Sequence, residues 1–221
     1  MIRAVVFDFG GVLITPITNQ IGTVAERHGR SVPEVLEVLL GPRDSGEHPW
    51  HRAERGELAV AEIQGLLDPW ADAAGLTLAG DELDVLLAAG AYTRVRAVHD
   101  RVATLHRDGI KTALLTNTFA EFRPTMERDV DFGLFDVVIE SFAVGARKPE
   151  PAIYAATQAA LGVAPSEIVY LDDFDQNLVP AAALGWATIH VLDPIVALAE
   201  LDALLAAGDA RDIPTDQYGE L

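Results

Sequence analysis

The chain has 221 residues, of which 16 are Lys or Arg and 34 are Asp or Glu, so its formal net charge is −18. This balance argues against binding to nucleic acids and to anionic membrane surfaces, because both require clustered basic side chains. Half of the residues are hydrophobic and none is cysteine. The composition therefore predicts a globular protein with a sizeable core, excludes thiolate metal sites, and leads us to expect a cytoplasmic location.

Short apolar runs separated by helical patterns organise much of the chain. The runs that predict strands are residues 2–7, 112–116, 137–140, 168–171 and 188–191. Their nearly continuous hydrophobicity is typical of parallel strands that are buried on both faces. Helices are predicted at residues 95–107, 151–161, 178–184 and 195–206. This alternation predicts an α/β fold with a doubly wound, Rossmann-like parallel sheet.

Residues 15–93 interrupt the alternation and contain helical patterns without a convincing strand. Ser31 and Glu34 form a capping-box pattern that opens a helix ending near Gly41-Pro42. Two more helices are predicted, at residues 60–74 and 81–89. We therefore expect a small helical cap (15–93) inserted after the first strand of a core domain (1–14 and 94–207), with a polar tail at 208–221.

Within this cap, residues 48–52 read His-Pro-Trp-His-Arg. We interpret them as a solvated loop with one packed tryptophan, and keep the lining of a substrate pocket as the alternative.

Polar side chains follow each of the first four predicted strands. Asp8 comes after the first strand and the pair Asp172-Asp173 closes the fourth. Thr116 and Asn117 follow the second, and Lys148 lies beyond the third. Ligands of open α/β sheets bind outside the carboxyl ends of the strands. We therefore expect these side chains to meet at one edge.

The combination of carboxylates, a hydroxyl, an amide and an ammonium group favours phosphoryl transfer assisted by Mg²⁺. Asp8 and Asp173 supply the hard oxygen ligands that a small divalent cation prefers. The other oxygen of Asp8 is a candidate nucleophile toward phosphorus. Lys148, which is one of only two lysines in the chain, suits the charge that develops on phosphate oxygens.

Four segments resemble, in order and spacing, the motifs of the haloacid dehalogenase superfamily. They are FDFGGVL, LLTNT, VGARKPEPAIY and YLDDFDQN, and the similarity extends over residues 2–191. The stretches around these motifs more narrowly resemble the amino-terminal phosphatase domain of soluble epoxide hydrolases. The resemblance implies a cap of the kind predicted above and hydrolysis of a small phosphorylated molecule.

The resemblance also implies a role for each residue at the strand ends. Asp8 would be the nucleophile, Thr116 and Asn117 would bind the phosphate, and Lys148 would neutralise it.

The implied metal is Mg²⁺. Asp8, Asp173 and the backbone carbonyl of Gly10 would bind it, with Asp172 as a weaker candidate.

One position departs from the motif of that superfamily, which has a second aspartate two residues after the nucleophile. Here Gly10 stands at that position, and glycine cannot protonate a leaving group or activate water. Loss of a positioned acid/base costs about 10²- to 10⁴-fold in rate. We therefore hypothesise a preference for phosphate esters with good leaving groups, and note Asp175 as the nearest substitute acid in the sequence.

Two alternatives stay open at this point. A haloacid dehalogenase also uses an aspartate nucleophile, needs no metal and lacks the second aspartate. A catalytically weak relative would instead bind a phosphometabolite or a protein. The sequence leaves the physiological substrate and the oligomeric state open.

Overall fold

The computed structural model describes residues 1–42, 46–88 and 90–210, and these residues form one parallel sheet of five strands. The strand order is β3-β2-β1-β4-β5, and all four pairings are parallel. The strands are β1 (Ala4–Phe7), β2 (Lys111–Thr116), β3 (Val137–Glu140), β4 (Ile168–Asp172) and β5 (Ala187–His190). The predicted α/β architecture is thereby confirmed.

Helices occupy most of the remaining described residues. Before β2 the helices are α1 (Thr18–His28), α2 (Val32–Leu39), α3 (Pro49–Glu54), α4 (Val60–Ile63), α5 (Asp68–Ala73), α6 (Glu82–Leu87) and α7 (Arg96–Arg107). After β2 they are α8 (Arg123–Asp129), α9 (Ser141–Val144), α10 (Pro151–Leu161), α11 (Asp175–Ala183) and α12 (Pro194–Ala210). Among the helices of the described residues, none is long and apolar enough to cross a membrane.

Both faces of the sheet are covered because successive residues of β1 point to opposite sides. Val5 and Phe7 belong to a cluster that includes buried residues of α7 and α12, whereas Ala4 and Val6 belong to one that includes residues of α10 and α11. All four residues of β1 are fully buried. This is the two-sided burial that the apolar runs predict.

The insert, by which we mean residues 15–93, has a hydrophobic cluster of its own among its described residues. Ile21, Leu39, Ile63 and Leu86 are fully buried there. The chain enters the insert at Thr15 and leaves it at Thr93. These two residues are hydrogen-bonded, since the Thr15 N–H donates to the Thr93 carbonyl over 2.9 Å. The predicted boundaries fall at this crossing, and the division into two domains stays a prediction.

Several predicted elements differ from the structure. The helix predicted at 60–74 is broken into α4, a 3₁₀ turn and α5, because Pro69 lacks an N–H and starts a new helix. Residues 48–52 are not a solvated loop: α3 begins at Pro49, and His48, Trp50 and His51 are buried.

Helices α11 and α12 are also longer than predicted. Helix α11 starts three residues early, at Asp175, whose carboxylate accepts the Gln176 N–H. Helix α12 extends to Ala210, so the first three residues of the predicted tail are helical. Residues 211–221 of that tail lie outside the described residues.

Candidate active site

The turns after β1 and β4 lie side by side at the carboxyl edge of the sheet. Successive connections run to opposite sides of the sheet from this point, which is where open α/β sheets bind their ligands. The Asp8 N–H extends the ladder by donating to the Leu171 carbonyl over 2.9 Å. The sheet therefore places the carboxylate of Asp8 beside the pair Asp172-Asp173, as predicted from the strand ends.

Lys148 joins these carboxylates from the loop after β3. Its Nζ lies 2.6 Å from Oδ1 of Asp8 and 2.7 Å from Oδ2 of Asp172. The side chain of Lys148 is only 2% exposed, which is rare for lysine unless it is paired. The ammonium group thus compensates two buried carboxylates at once.

The side chains of Asp172 and Asp173 have different surroundings although they are adjacent. Oδ1 of Asp172 accepts the Phe174 N–H over 2.8 Å, and Oδ2 accepts from Lys148 and from the Tyr170 hydroxyl. Asn177 Nδ2 donates to both oxygens. Asp172 is therefore saturated by protein donors and is absent from the lining of the cleft described below.

Asp173 lines the cleft and packs against the turn after β1. Its Oδ1 is buried and has no hydrogen-bond partner among the described residues. A Cβ on Gly11 would lie 2.0 Å from its Oδ2, and Gly11 has φ +70°. Glycine at position 11 is therefore needed for this carboxylate to sit next to Asp8.

The two aspartates that line the cleft, Asp8 and Asp173, have raised pKa values. Oxygens of Asp8, Asp172 and Asp173 lie within 4.8 Å of one another. Burial, opposed by Lys148, raises the pKa of Asp8 to about 7. Burial, together with the charges of Asp8 and Asp172, raises the pKa of Asp173 to about 8. Burial opposes the charged form of Lys148, but Asp172 and Asp8 outweigh it and raise the pKa of the lysine.

Asn117 and Thr116 lie where the sequence places them, at the end of β2. The amide of Asn117 makes a reciprocal pair with the main chain of Lys148: Nδ2 donates to its carbonyl over 3.0 Å and Oδ1 accepts its N–H over 2.7 Å. The side chain of Asn117 therefore positions Lys148. Thr116 is buried, and its hydroxyl contacts the Asn117 carbonyl over 3.3 Å.

A cleft lies between this edge of the sheet and the insert. The predicted site residues line its core side, with the exception of Asp172. Gly10 also lines it, and a Cβ at Gly10 would meet no atom within 4 Å. Position 10 therefore has room for a side chain that the sequence does not supply. Asp175 is exposed and does not line the cleft, so the structure does not support it as a substitute acid.

The insert contributes residues to the cleft that sequence reasoning missed or left as an alternative. Trp50, His51 and Glu54 of α3 line it together with Arg147 of the core. The Trp50 Nε1–H donates to Oε1 of Glu54 over 2.9 Å, and Arg147 forms an ion pair with Oε2. A helical spacing of three and four residues, recognised in 50–54, would have placed these side chains on one face.

Comparisons with known proteins identify relatives of this chain. The chain is 34% identical over 208 residues to Acyl-CoA dehydrogenase family member 10 from Mus musculus, covering 92% of this chain and 19% of that protein. It is 30% identical over 217 residues to Bifunctional epoxide hydrolase 2 from Rattus norvegicus, covering 91% and 38%. The chain thus spans only a minor part of these two relatives.

A third relative is matched over nearly its whole length. Sesquiterpene phosphatase astK from Aspergillus oryzae is 24% identical over 208 residues, which cover 92% of this chain and 96% of that protein.

Two solved structures share the fold. One is a HAD family enzyme from Bacteroides thetaiotaomicron in complex with magnesium and inorganic phosphate, with 19% identity, a TM-score of 0.61, and coverage of 86% of this chain and 94% of that one. The other is L-2-haloacid dehalogenase from Xanthobacter autotrophicus, with 23% identity, a TM-score of 0.60, and coverage of 100% and 92%. The model of the haloacid dehalogenase-like hydrolases matches residues 2–185, and the chain belongs to this family of hydrolases.

Proposed function

We propose that the protein is a Mg²⁺-dependent phosphatase of a small phosphorylated metabolite and that Asp8 is its nucleophile. The observation that carries this proposal is the buried Oδ1 of Asp173, which has no partner among the described residues and lies beside the carboxylate of Asp8. A buried carboxylate oxygen without a donor is costly unless a cation compensates it. A dehalogenase has no use for such a cation, because a halide leaves without help from a metal.

The residues present fit Mg²⁺. Asp8 and Asp173 would hold it together with the carbonyl of Gly10, and this all-oxygen set with few protein ligands is what the ion prefers. When bound, the ion supplies positive charge that allows a carboxylate to approach a phosphate. The raised pKa values of Asp8 and Asp173 support the fit, since burial is the main cause of both and a bound cation would compensate the buried charges.

The residues of the chain then divide the work on the phosphate. Asp8 attacks phosphorus to form an aspartyl phosphate, which water hydrolyses in a second step. Lys148 holds the oxygens of the transferred group, and Thr116 donates its hydroxyl to them. The side chain of Asn117 orients Lys148 by binding the main chain of that lysine, and the main-chain N–H of Asn117 donates to the phosphate. Asp172, saturated by protein donors, keeps the Lys148 ammonium in place.

The lining of the cleft supports a substrate with an apolar body. Beyond the polar edge, the cleft is lined by hydrophobic side chains from both the insert and the core. They include Leu36, Leu40, Trp50, Phe119, Phe122 and Phe174. Burying apolar substrate surface against them contributes about 25 cal/mol per Å². The full-length match to a sesquiterpene phosphatase supports the same substrate class.

Dehalogenation is the second candidate. The observation that favours it is Gly10, since an aspartate nucleophile without a second aspartate suffices for displacement of a halide. The match to (S)-2-haloacid dehalogenase from Xanthobacter autotrophicus, 28% identical over 197 residues, supports it as well. Gly10 is equally compatible with a third candidate, a weakly active binding protein.

We place the protein in the cytoplasm, which its lack of cysteine supports.

A phosphatase screen with an Asp8→Asn blank tests the proposal. Phosphate release from a panel of aryl, acyl and prenyl phosphates is measured with Mg²⁺ and with excess EDTA, and 2-haloacids are assayed in parallel. We expect phosphate release that EDTA and Asp8→Asn both abolish. Asp108→Asn is the matched control, because Asp108 is exposed at the carboxyl end of α7. Halide release that persists in EDTA would instead establish the dehalogenase.

A further inference from the structure

The empty position at Gly10 raises the question of which group exchanges a proton with the substrate. In phosphoryl transfer the attacking and leaving oxygens lie roughly in line through phosphorus. Asp8 attacks from the edge of the sheet, so the leaving oxygen points away from the sheet, toward the insert. Water attacks the aspartyl phosphate from that same side in the second step. A proton donor and acceptor is therefore needed on the insert side of the cleft.

Among the described residues of the insert that line the cleft, three side chains are ionisable: His51, Glu54 and Tyr92. Glu54 is engaged through both oxygens, by Trp50 and by Arg147. The Tyr92 hydroxyl donates to the Leu86 carbonyl over 2.6 Å, and burial raises its pKa far above neutrality. Neither of these two groups suits proton exchange near pH 7.

We propose that His51 takes the place of the absent aspartate and is the general acid and base of this phosphatase. It lines the same cleft as Asp8 and Gly10 and is 3% exposed. Imidazole is the side chain whose ordinary pKa lies near neutral pH. The inference rests on the proposed phosphatase function and assigns its missing proton donor.

The proton that His51 gives up in the first step is regained in the second. In the first step the Asp8 oxygen bonds to phosphorus, the bond to the leaving oxygen breaks, and the His51 imidazolium gives its proton to that oxygen to form an alcohol. In the second step a water oxygen bonds to phosphorus, its proton passes to neutral His51, and the bond to Asp8 breaks. Free carboxylate and imidazolium are thereby regenerated.

The packing of α3 holds His51 in the cleft. His48, one turn earlier, accepts the Trp50 N–H at Nδ1 over 3.2 Å and contacts the Val38 carbonyl through Nε2. These bonds keep His48 neutral and cap the helix that carries His51. The rings of the two histidines lie 5.5 Å apart.

Measuring the first turnover on two substrates separates a loss of proton donation from other causes of a lower rate. Stopped-flow release of the leaving group is compared between an alkyl phosphate and p-nitrophenyl phosphate in the wild type and in His51→Asn. We expect a loss of about 10²- to 10⁴-fold for the alkyl phosphate and less than about 10-fold for the nitrophenyl ester, whose leaving group needs no proton. His106→Asn, an exposed histidine on α7, is the matched control.

Two further measurements should change only if His51 has a catalytic role. His51→Asn should accumulate acid-stable, base-labile phosphoenzyme because the second step lacks its base. The double variant Gly10→Asp with His51→Asn should recover alkyl phosphate turnover, since a Cβ at Gly10 meets no atom within 4 Å. His51→Gln replaces the asparagine variant if circular dichroism shows that the latter does not fold.

The outcomes distinguish this inference from the proposed function. Equal losses on both substrates, or no loss, overturn the role of His51 and leave the phosphatase intact. A wild type without any turnover that depends on Asp8 overturns both.

Discussion

Two adjacent glycines in the turn after β1 lead to opposite expectations for the same substitution. At Gly11 a Cβ would lie 2.0 Å from Oδ2 and 2.2 Å from Cγ of Asp173, whereas at Gly10 it would meet nothing within 4 Å. Gly11→Ala should therefore displace Asp173, and Gly10→Ala should leave it in place. Both variants retain the carbonyl of residue 10.

The magnitude follows from the size of the clash. To restore an ordinary contact of 3.4 Å, Asp173 must move by about 1.4 Å, whereas ligand distances in metal sites tolerate about 0.2 Å. We therefore expect the dissociation constant for Mg²⁺ to rise by roughly 100-fold, which corresponds to about 2.8 kcal/mol. Gly11 also has φ +70°, so alanine adds about 1–2 kcal/mol of backbone strain to the folded state.

Calorimetric titration with Mg²⁺ measures the affinity, and thermal unfolding reports the strain separately. Gly10→Ala should bind the ion within about threefold of the wild type. If Gly11→Ala binds Mg²⁺ as the wild type does, Asp173 is not a ligand. If both alanine variants lose affinity equally, the conformation of the turn matters and the contact with Asp173 does not.

Three further predictions concern stability around the site. Lys148→Ala leaves Asp8 and Asp172 buried without their cation and should cost about 3–5 kcal/mol in urea unfolding; a loss below about 1 kcal/mol would contradict the pairing. Asn117→Ala removes both bonds to the Lys148 main chain and should lower unfolding free energy by about 1–3 kcal/mol as well as kcat, so unchanged values of both would refute its positioning role. Burial lowers the pKa of His48 from 6.5 to about 4, so between these pH values the unfolded chain binds a proton that the folded chain does not. The free energy of unfolding should therefore fall by up to about 3 kcal/mol between pH 6.5 and pH 4. This contribution should be absent from His48→Asn.

The composition of the edge is predictable from the sequence because parallel strands end on the same side. Asp8 precedes Thr116 and Lys148 by more than a hundred residues, yet all three lie at or beyond the end of an apolar run, and the register of the sheet brings those ends together. The covering of both faces follows from the same runs. These features depend on local patterns and on the general geometry of α/β sheets, so no knowledge of tertiary contacts is needed.

Asp173 is predicted to be a stronger candidate than Asp172 for binding the metal, and the alternation of side chains along β4 gives a physical reason for this difference. Side chains alternate along a strand, so Asp172 shares a face with Tyr170, whose hydroxyl it accepts. Asp173 lies past the end of β4 and faces the turn after β1. The pattern of alternation therefore marks Asp172 as the partner of buried groups and leaves Asp173 for the cleft.

The insert side of the cleft was not predictable in the same way. His51 and Glu54 belong to α3, a helix of six residues, and their spacing of three residues places them on one face of it without indicating what that face contacts. Their place in the cleft depends on how α3 packs against Arg147, more than 90 residues away in the chain. Such a contact is set by tertiary packing, which overrides weak local signals.

The charge of the site explains why a cation is central to the proposed activity. With all groups ionised, Asp8, Asp172 and Asp173 carry three negative charges against the one positive charge of Lys148, in a chain whose formal net charge is −18. An anionic substrate entering this edge would meet repulsion from both the site and the whole protein. Lys148 already compensates the charges of Asp8 and Asp172. It can therefore attract a phosphate only weakly until a bound cation compensates Asp8 in its place. For the proposed phosphatase we therefore expect metal binding to precede productive phosphate binding, and phosphate affinity without Mg²⁺ should be negligible.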